Sequence, residues 1–141
     1  MKPVKIVIDA SIGFKTILVE DGTDKALKLR DDFRKGIHEL LAPDLYAVEL
    51  SNAVVVAVRK GEIPEADLPI VYADLMANLP YTYMVLSLLP RAYTIASKVR
   101  VSMYDAIYLS LSEQESCPLL TDDQKLIKAA PGFSFLTLDD L

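Results

Sequence analysis

Short runs that are apolar at nearly every position alternate along this chain with longer segments whose apolar residues recur at helical spacing. "VKIVIDAS", residues 4–11, is a β-branched run ending in Asp-Ala-Ser and reads as a buried strand handing over to a helix. Residues 12–19 and 22–35 read as helices, and the second sets Ala26, Leu27, Leu29 and Phe33 against Lys25, Lys28, Asp31 and Asp32. "HELLAP", 38–43, is a short strand ended by Pro43. Residues 45–59 form a long apolar helix closed by Gly61, and Pro64 opens another that runs towards Asn78. "YTYMVLSL", 81–88, reads as extended and is followed by helices over 90–99 and 102–115. "CPLLTDD" is a strand leaving through a polar turn, "QKLIKAA" a short helix stopped by Pro131-Gly132, and "FSFLTL" a last short strand. Strands that are apolar throughout, alternating with helices, predict an α/β fold with a parallel sheet covered on both faces. Ligands of such sheets bind at the carboxyl ends of the strands.

Length and composition add bounds. A chain of 141 residues fits one domain, 1–141, and at that size folding buries roughly two-thirds of the surface without help from a disulfide or structural metal. The single cysteine, Cys117, excludes an internal disulfide and points to a reducing compartment, hence a cytoplasmic location. Met1-Lys2-Pro3 runs straight into the first strand, without the basic start and apolar core of a secretory signal. No uncharged run reaches membrane-spanning length. The net charge of −5 argues against a broad basic face that wraps nucleic acid, though not against an enzyme that touches one at a single acidic, metal-loaded site.

The chemistry lies in solitary acids. Asp105 is the only charge between Arg100 and Glu113 on an otherwise apolar helix. Asp9 is the only charge between Lys5 and Lys15, where the first strand ends, and Glu49 the only one between Asp44 and Arg59. Asp122 and Asp123 follow the strand at 117–121. Each alone could be a cap or a hydrogen-bonded core acid. Together they are expensive, because two like charges at ~4 Å repel by about 4 kcal/mol at an effective dielectric of 20. Converging acids must protonate in part or hold a cation, and carboxylate oxygens suit magnesium or manganese. A metal so held binds a phosphate oxygen and lowers the pKa of a bound water, which makes phosphodiester hydrolysis the leading reaction.

Other chemistries lack their residues. The only histidine is His38, in a short strand, so any Ser-His-Asp or Cys-His site would have to use it. Cys117 reads as a small buried residue. Neither a Gly-x-x-x-x-Gly-Lys loop nor a Gly-x-Gly-x-x-Gly turn is present among five glycines.

"VIDAS", "PDLYAVELSNAV", "SMYDAIYLSLSEQ" and "PLLTDDQKL" resemble the four signature segments of the PIN domain, and most closely those of VapC-like toxins, which are metal-dependent ribonucleases. The resemblance covers nearly the whole chain. It implies a three-layer α/β/α sandwich with a mostly parallel central sheet, and an acidic pocket holding Mg2+ or Mn2+. It implies Asp9, Glu49, Asp105 and Asp123 as the catalytic and metal-binding acids, with Asp122 as the variable neighbour of the fourth. Ser11, Asn52 and Thr121 match auxiliary polar positions, although Ser11 serves equally as a helix cap and Asn52 as a backbone partner. Lys15 falls where many of these toxins carry a lysine and is the candidate phosphate contact, or else a solvated surface residue. The tryptophan that often follows that lysine is Thr16 here. Tyr104 and Tyr108, spaced i, i+4, read as core packing rather than base-stacking platforms, and the mixed-charge face from Lys25 to Lys35 as solvated.

The resemblance implies an RNA substrate, a small antitoxin protein that occupies the pocket, and a homodimer, the last supported in the sequence only by surplus apolar residues at 83–89. The competing reading is a catalytically silent PIN-fold module that binds RNA or protein; loss of an acid would favour it, and all four are present. A phosphatase or phosphoacceptor domain needs a second acid near the end of the first strand, where Ser11 stands instead.

Overall fold

The computed structural model describes residues 2–141. Five strands form one sheet: β1 (Val4–Ile8), β2 (His38–Pro43), β3 (Tyr81–Tyr83), β4 (Leu119–Leu120) and β5 (Phe135–Leu136). Their order is β3-β2-β1-β4-β5, and every neighbouring pair is parallel. β1 lies in the centre, with Val7 opposite Leu41 on one side and Ile8 opposite Leu120 on the other.

Seven helices cover the two faces: α1 (Ala10–Phe14), α2 (Thr23–Arg34), α3 (Leu45–Arg59), α4 (Leu68–Ala77), α5 (Val85–Lys98), α6 (Met103–Gln114) and α7 (Gln124–Ala129). The pleat decides which helix meets which residue, because successive side chains point to opposite faces. Val7, Leu41 and Leu119 pack with Leu88, Ala92, Leu109 and Leu126 from α5, α6 and α7. Ile6, Ile8, Leu40 and Leu120 pack on the other face with Ile12, Leu29, Leu50 and Leu75 from α1 to α4. Strand segments buried on both sides must be apolar, and the buried parts of β1, β2 and β4, Ile6–Ile8, Leu40–Pro43 and Leu119–Leu120, are, while the polar Lys5, His38 and Glu39 fall at the less buried starts of β1 and β2. The α/β/α sandwich expected from the sequence is the fold observed.

Three helices differ from their expected bounds, and α4 does so by starting at Leu68 after a single 3-10 turn over Glu65–Asp67 rather than at Pro64. α1 starts at Ala10, not residue 12, because Asp9 caps it, and it ends at Phe14 where the chain tightens into Thr16 N–H to Gly13 O and Ile17 N–H to Phe14 O bonds. α5 starts at Val85 and runs through Pro90, although residues 81–88 read as extended and Pro90 as a helix start. Its first turn is secured from afar: the Val85 N–H donates to the Asp44 carboxylate at 3.2 Å. Leu88, Ala92 and Ile95 then offset the cost of the proline by packing inward, and Leu86, whose carbonyl is denied its usual partner by Pro90, is 73% exposed.

Candidate active site

Asp9 occupies the first position beyond β1. Its Oδ1 accepts from the backbone N–H groups of Ser11 (3.1 Å) and Ile12 (3.3 Å) and from the Ser11 hydroxyl, so the carboxylate caps α1. Burial pushes its pKa up, against the opposing pull of the Ser11 and Thr121 hydroxyls and the two amides. Thr121, at the end of β4, is fully buried; its Oγ1 accepts from the Asp123 N–H at 3.1 Å, which ties the chain at the fourth acid to the one at the first.

Glu49 faces inward from the second turn of α3, where its Oε1 accepts from the Tyr108 hydroxyl at 2.7 Å. Its pKa is raised by burial, lowered in part by that hydrogen bond, and raised again by the charges of Asp9 and Asp105. Asp105 sits in the first turn of α6, whose cap is Ser102: the Asp105 N–H donates to Ser102 Oγ at 3.1 Å. Burial raises its pKa, Ser102 opposes the rise, and the charges of Asp123 and Asp9 add to it. Asp123 is exposed and caps α7, accepting from the N–H groups of Lys125 and Leu126 at 3.1 Å each.

Asp9, Glu49 and Asp105 line one pocket of about 170 Å³ with Ser11, Tyr108 and the apolar Leu119 and Leu126. No Lys, Arg or His lines it. Asp123 borders an adjoining cavity that shares Asp105 with the first. Among the described residues, no three acidic, His or Cys side chains stand close enough together to grip an ion as they are. The carboxylates are held apart on partners of their own, as mutual repulsion requires. The donor set fits a hard divalent cation: only oxygens, several of them anionic, in a place where burial and repulsion penalise the uncompensated charges.

The remaining residues singled out by sequence fall differently. Asn52 lies one turn beyond Glu49, exposed and outside the pocket. The Lys15 amine is held by Glu20 (3.2 Å), Asp122 (3.6 Å) and the Asp21 carbonyl (2.9 Å), with its side chain 13% exposed. Asp122 thus turns to Lys15 while its neighbour Asp123 turns to α7. Tyr104 is a correction, 61% exposed rather than in the core. Tyr108 is in the core, at 4% exposure, but its hydroxyl serves Glu49, a role the i, i+4 pairing with Tyr104 hid. The informative spacing is to Asp105, three residues earlier and so on the same face of α6.

The family model of the PIN domain matches residues 6–131. The chain belongs to the PIN domain family. Across 92% of its length this PIN domain is 28% identical to Ribonuclease VapC3 of Pyrobaculum aerophilum, 97% of which is covered. Its fold is similar to that of VapBC2 from Rickettsia felis bound to a promoter DNA fragment, with a TM-score of 0.69 at 11% identity, covering 95% of this chain and 98% of that one. It is similar also to FitAB bound to a DNA fragment, with a TM-score of 0.58 at 10% identity and 96% of each chain covered. At these identities the structural likeness is one of fold. Among the described residues, no helix of this PIN domain is long and apolar enough to cross a membrane.

Proposed function

We propose that this PIN domain is a magnesium- or manganese-dependent endoribonuclease and the toxin of a toxin–antitoxin pair. The observation that carries the reading is the pocket in which Asp9, Glu49 and Asp105 meet with no basic residue to balance them, with Asp123 beside it. Asp9 and Asp105 would hold the cation directly, and Glu49 and Asp123 would hold it or orient its waters. A cation bound there would neutralise charge at the phosphate and lower the pKa of a water so that hydroxide is available as the nucleophile. Ser11 and the α1 amides fix the Asp9 carboxylate, and Tyr108 fixes Glu49, so two of the acids enter with their orientation set. The apolar floor of Leu119 and Leu126 limits bulk water around them.

The similarity to Ribonuclease VapC3 supports RNA as substrate, and the folds shared with VapBC2 and FitAB support a small antitoxin protein as partner. A homodimer and a cytoplasmic location belong to the same proposal. Purified protein should cut single-stranded RNA with magnesium or manganese, stop in EDTA, and lose most of its activity on Asp9→Asn. Toxicity on expression should be relieved by co-expressing the antitoxin. A chain that binds RNA but leaves it uncut in both metals is the silent binding module instead.

A further inference from the structure

Two open cavities flank Asp122 and Asp123, and they differ in charge. One, of about 660 Å³, carries five carboxylates against Lys15 and Lys25, and both lysines are already paired, with Glu20 and Asp122 and with Asp139 respectively. The other, of about 530 Å³, lies between the α5–α6 connection and α7. It opens on Asp105 and Asp123, and the rest of its charged lining is Lys98, Arg100 and Lys125.

Elsewhere on this acidic protein many basic side chains are matched, Lys5 with Glu115, Lys28 with Asp32, Arg30 with Asp74 and Arg91 with Glu113, and the unmatched Arg59, Lys60 and Lys128 line neither this cavity nor the acidic pocket. Among the described residues, the side chains of Lys98, Arg100 and Lys125 make neither an ion pair nor a hydrogen bond. Three free cations from two stretches of chain, the α5–α6 connection and α7, therefore line the cavity that abuts the acidic pocket. A site that is anionic at one end and cationic along its flank suits a polyanion whose reacting phosphate sits at the acids and whose neighbouring phosphates do not.

We propose that this cavity carries the RNA backbone away from the acidic pocket, with Lys98, Arg100 and Lys125 holding the phosphates next to the scissile one. The inference rests on the ribonuclease reading and gives it a direction: the strand leaves between α5 and α7, not past Lys15. The substrate is a single strand, the form whose backbone can bend into a cleft.

The test is binding of a fluorescein-labelled, mixed-sequence RNA dodecamer, followed by anisotropy across a salt series, in the Asp9→Asn background so that the RNA stays intact. Adding Arg100→Ala and Lys125→Ala should weaken binding about tenfold and flatten the salt slope by about 1.4, near 0.7 for each single-strand phosphate that the protein no longer neutralises. Adding Lys15→Ala and Lys25→Ala instead should change affinity less than twofold. Manganese affinity, measured by calorimetry on Arg100→Ala/Lys125→Ala with Asp9 intact, should match that of the unaltered protein. Unchanged RNA affinity and salt slope in the first pair, or equal losses from both pairs, overturns the path while leaving the nuclease standing. Failure of the unaltered protein to cut RNA overturns the ribonuclease reading and the path with it.

Discussion

Single residues decide the electrostatics of the pocket. Asp105, Asp9 and Glu49 all have pKa values above their ordinary ones, chiefly because burial disfavours the charged form. A carboxyl whose pKa is higher folded than unfolded contributes most below its unfolded value and loses that contribution as pH rises through the folded one. Without metal, then, each of these acids destabilises the protein increasingly above about pH 4. Asp105→Asn should melt at or above the unaltered protein in EDTA at about pH 7, with the gap closing towards about pH 4. In saturating manganese the order should reverse. A lower melting temperature in EDTA at neutral pH would mean that Asp105 is structural. Tyr108→Phe keeps the ring and removes only the donor to Glu49, at a cost of about 1 kcal/mol. Because that hydrogen bond lowers the Glu49 pKa, its loss should raise it further and move the acid limb of the pH–rate profile to higher pH. An unmoved limb would show that Glu49 does not govern it.

Elements place those residues, and the packing between them explains what the sequence did and did not disclose. α1 can bring Ser11 to Asp9 only because Gly13 lets it lie on α3: a Cβ at that position would meet the Tyr46 hydroxyl at 2.0 Å and its ring at 2.9 Å. Gly13→Ala should therefore destabilise by about 1–3 kcal/mol, as overpacked cores do, and Tyr46→Phe should restore part of the loss in a denaturant titration. The four acids were legible because each stands alone or at a strand end, where a charge stands out from its apolar neighbours. The sheet was legible because the doubly buried parts of its strands, such as Ile6–Ile8 and Leu40–Pro43, hold no polar side chain. The start of α5 was not, since its cap is the carboxylate of Asp44, 41 residues earlier. Nor could spacing separate the lysine that is tied, Lys15, from the cations that are free, Lys98, Arg100 and Lys125; pairing between distant segments decides it.

At the scale of the molecule, the candidate site is assembled from the edges of both layers: Asp9 after β1, Glu49 on α3, Asp105 on α6 and Asp123 before α7. A ligand gripped there should resist global unfolding and not merely local fraying. Manganese at about a hundred times its dissociation constant should add about 2.7 kcal/mol to the unfolding free energy, and Asp9→Asn should remove most of that gain in a thermal melt. The pairing of β1 with β4, in which Val7 meets Leu119, has a consequence in time. β1 and β2 can register, and α3 can dock, while the later part of the chain is still unstructured, because they lie within the first half of the sequence. The β1–β4 pair must close a loop that spans most of the chain, a slow event in a parallel topology. Topology therefore predicts that Asp9 and Glu49 come into place early and meet Asp105 and Asp123 only when that loop shuts. On the ribonuclease reading, a partly folded chain is harmless to the RNA around it, and the capacity to cut arrives last.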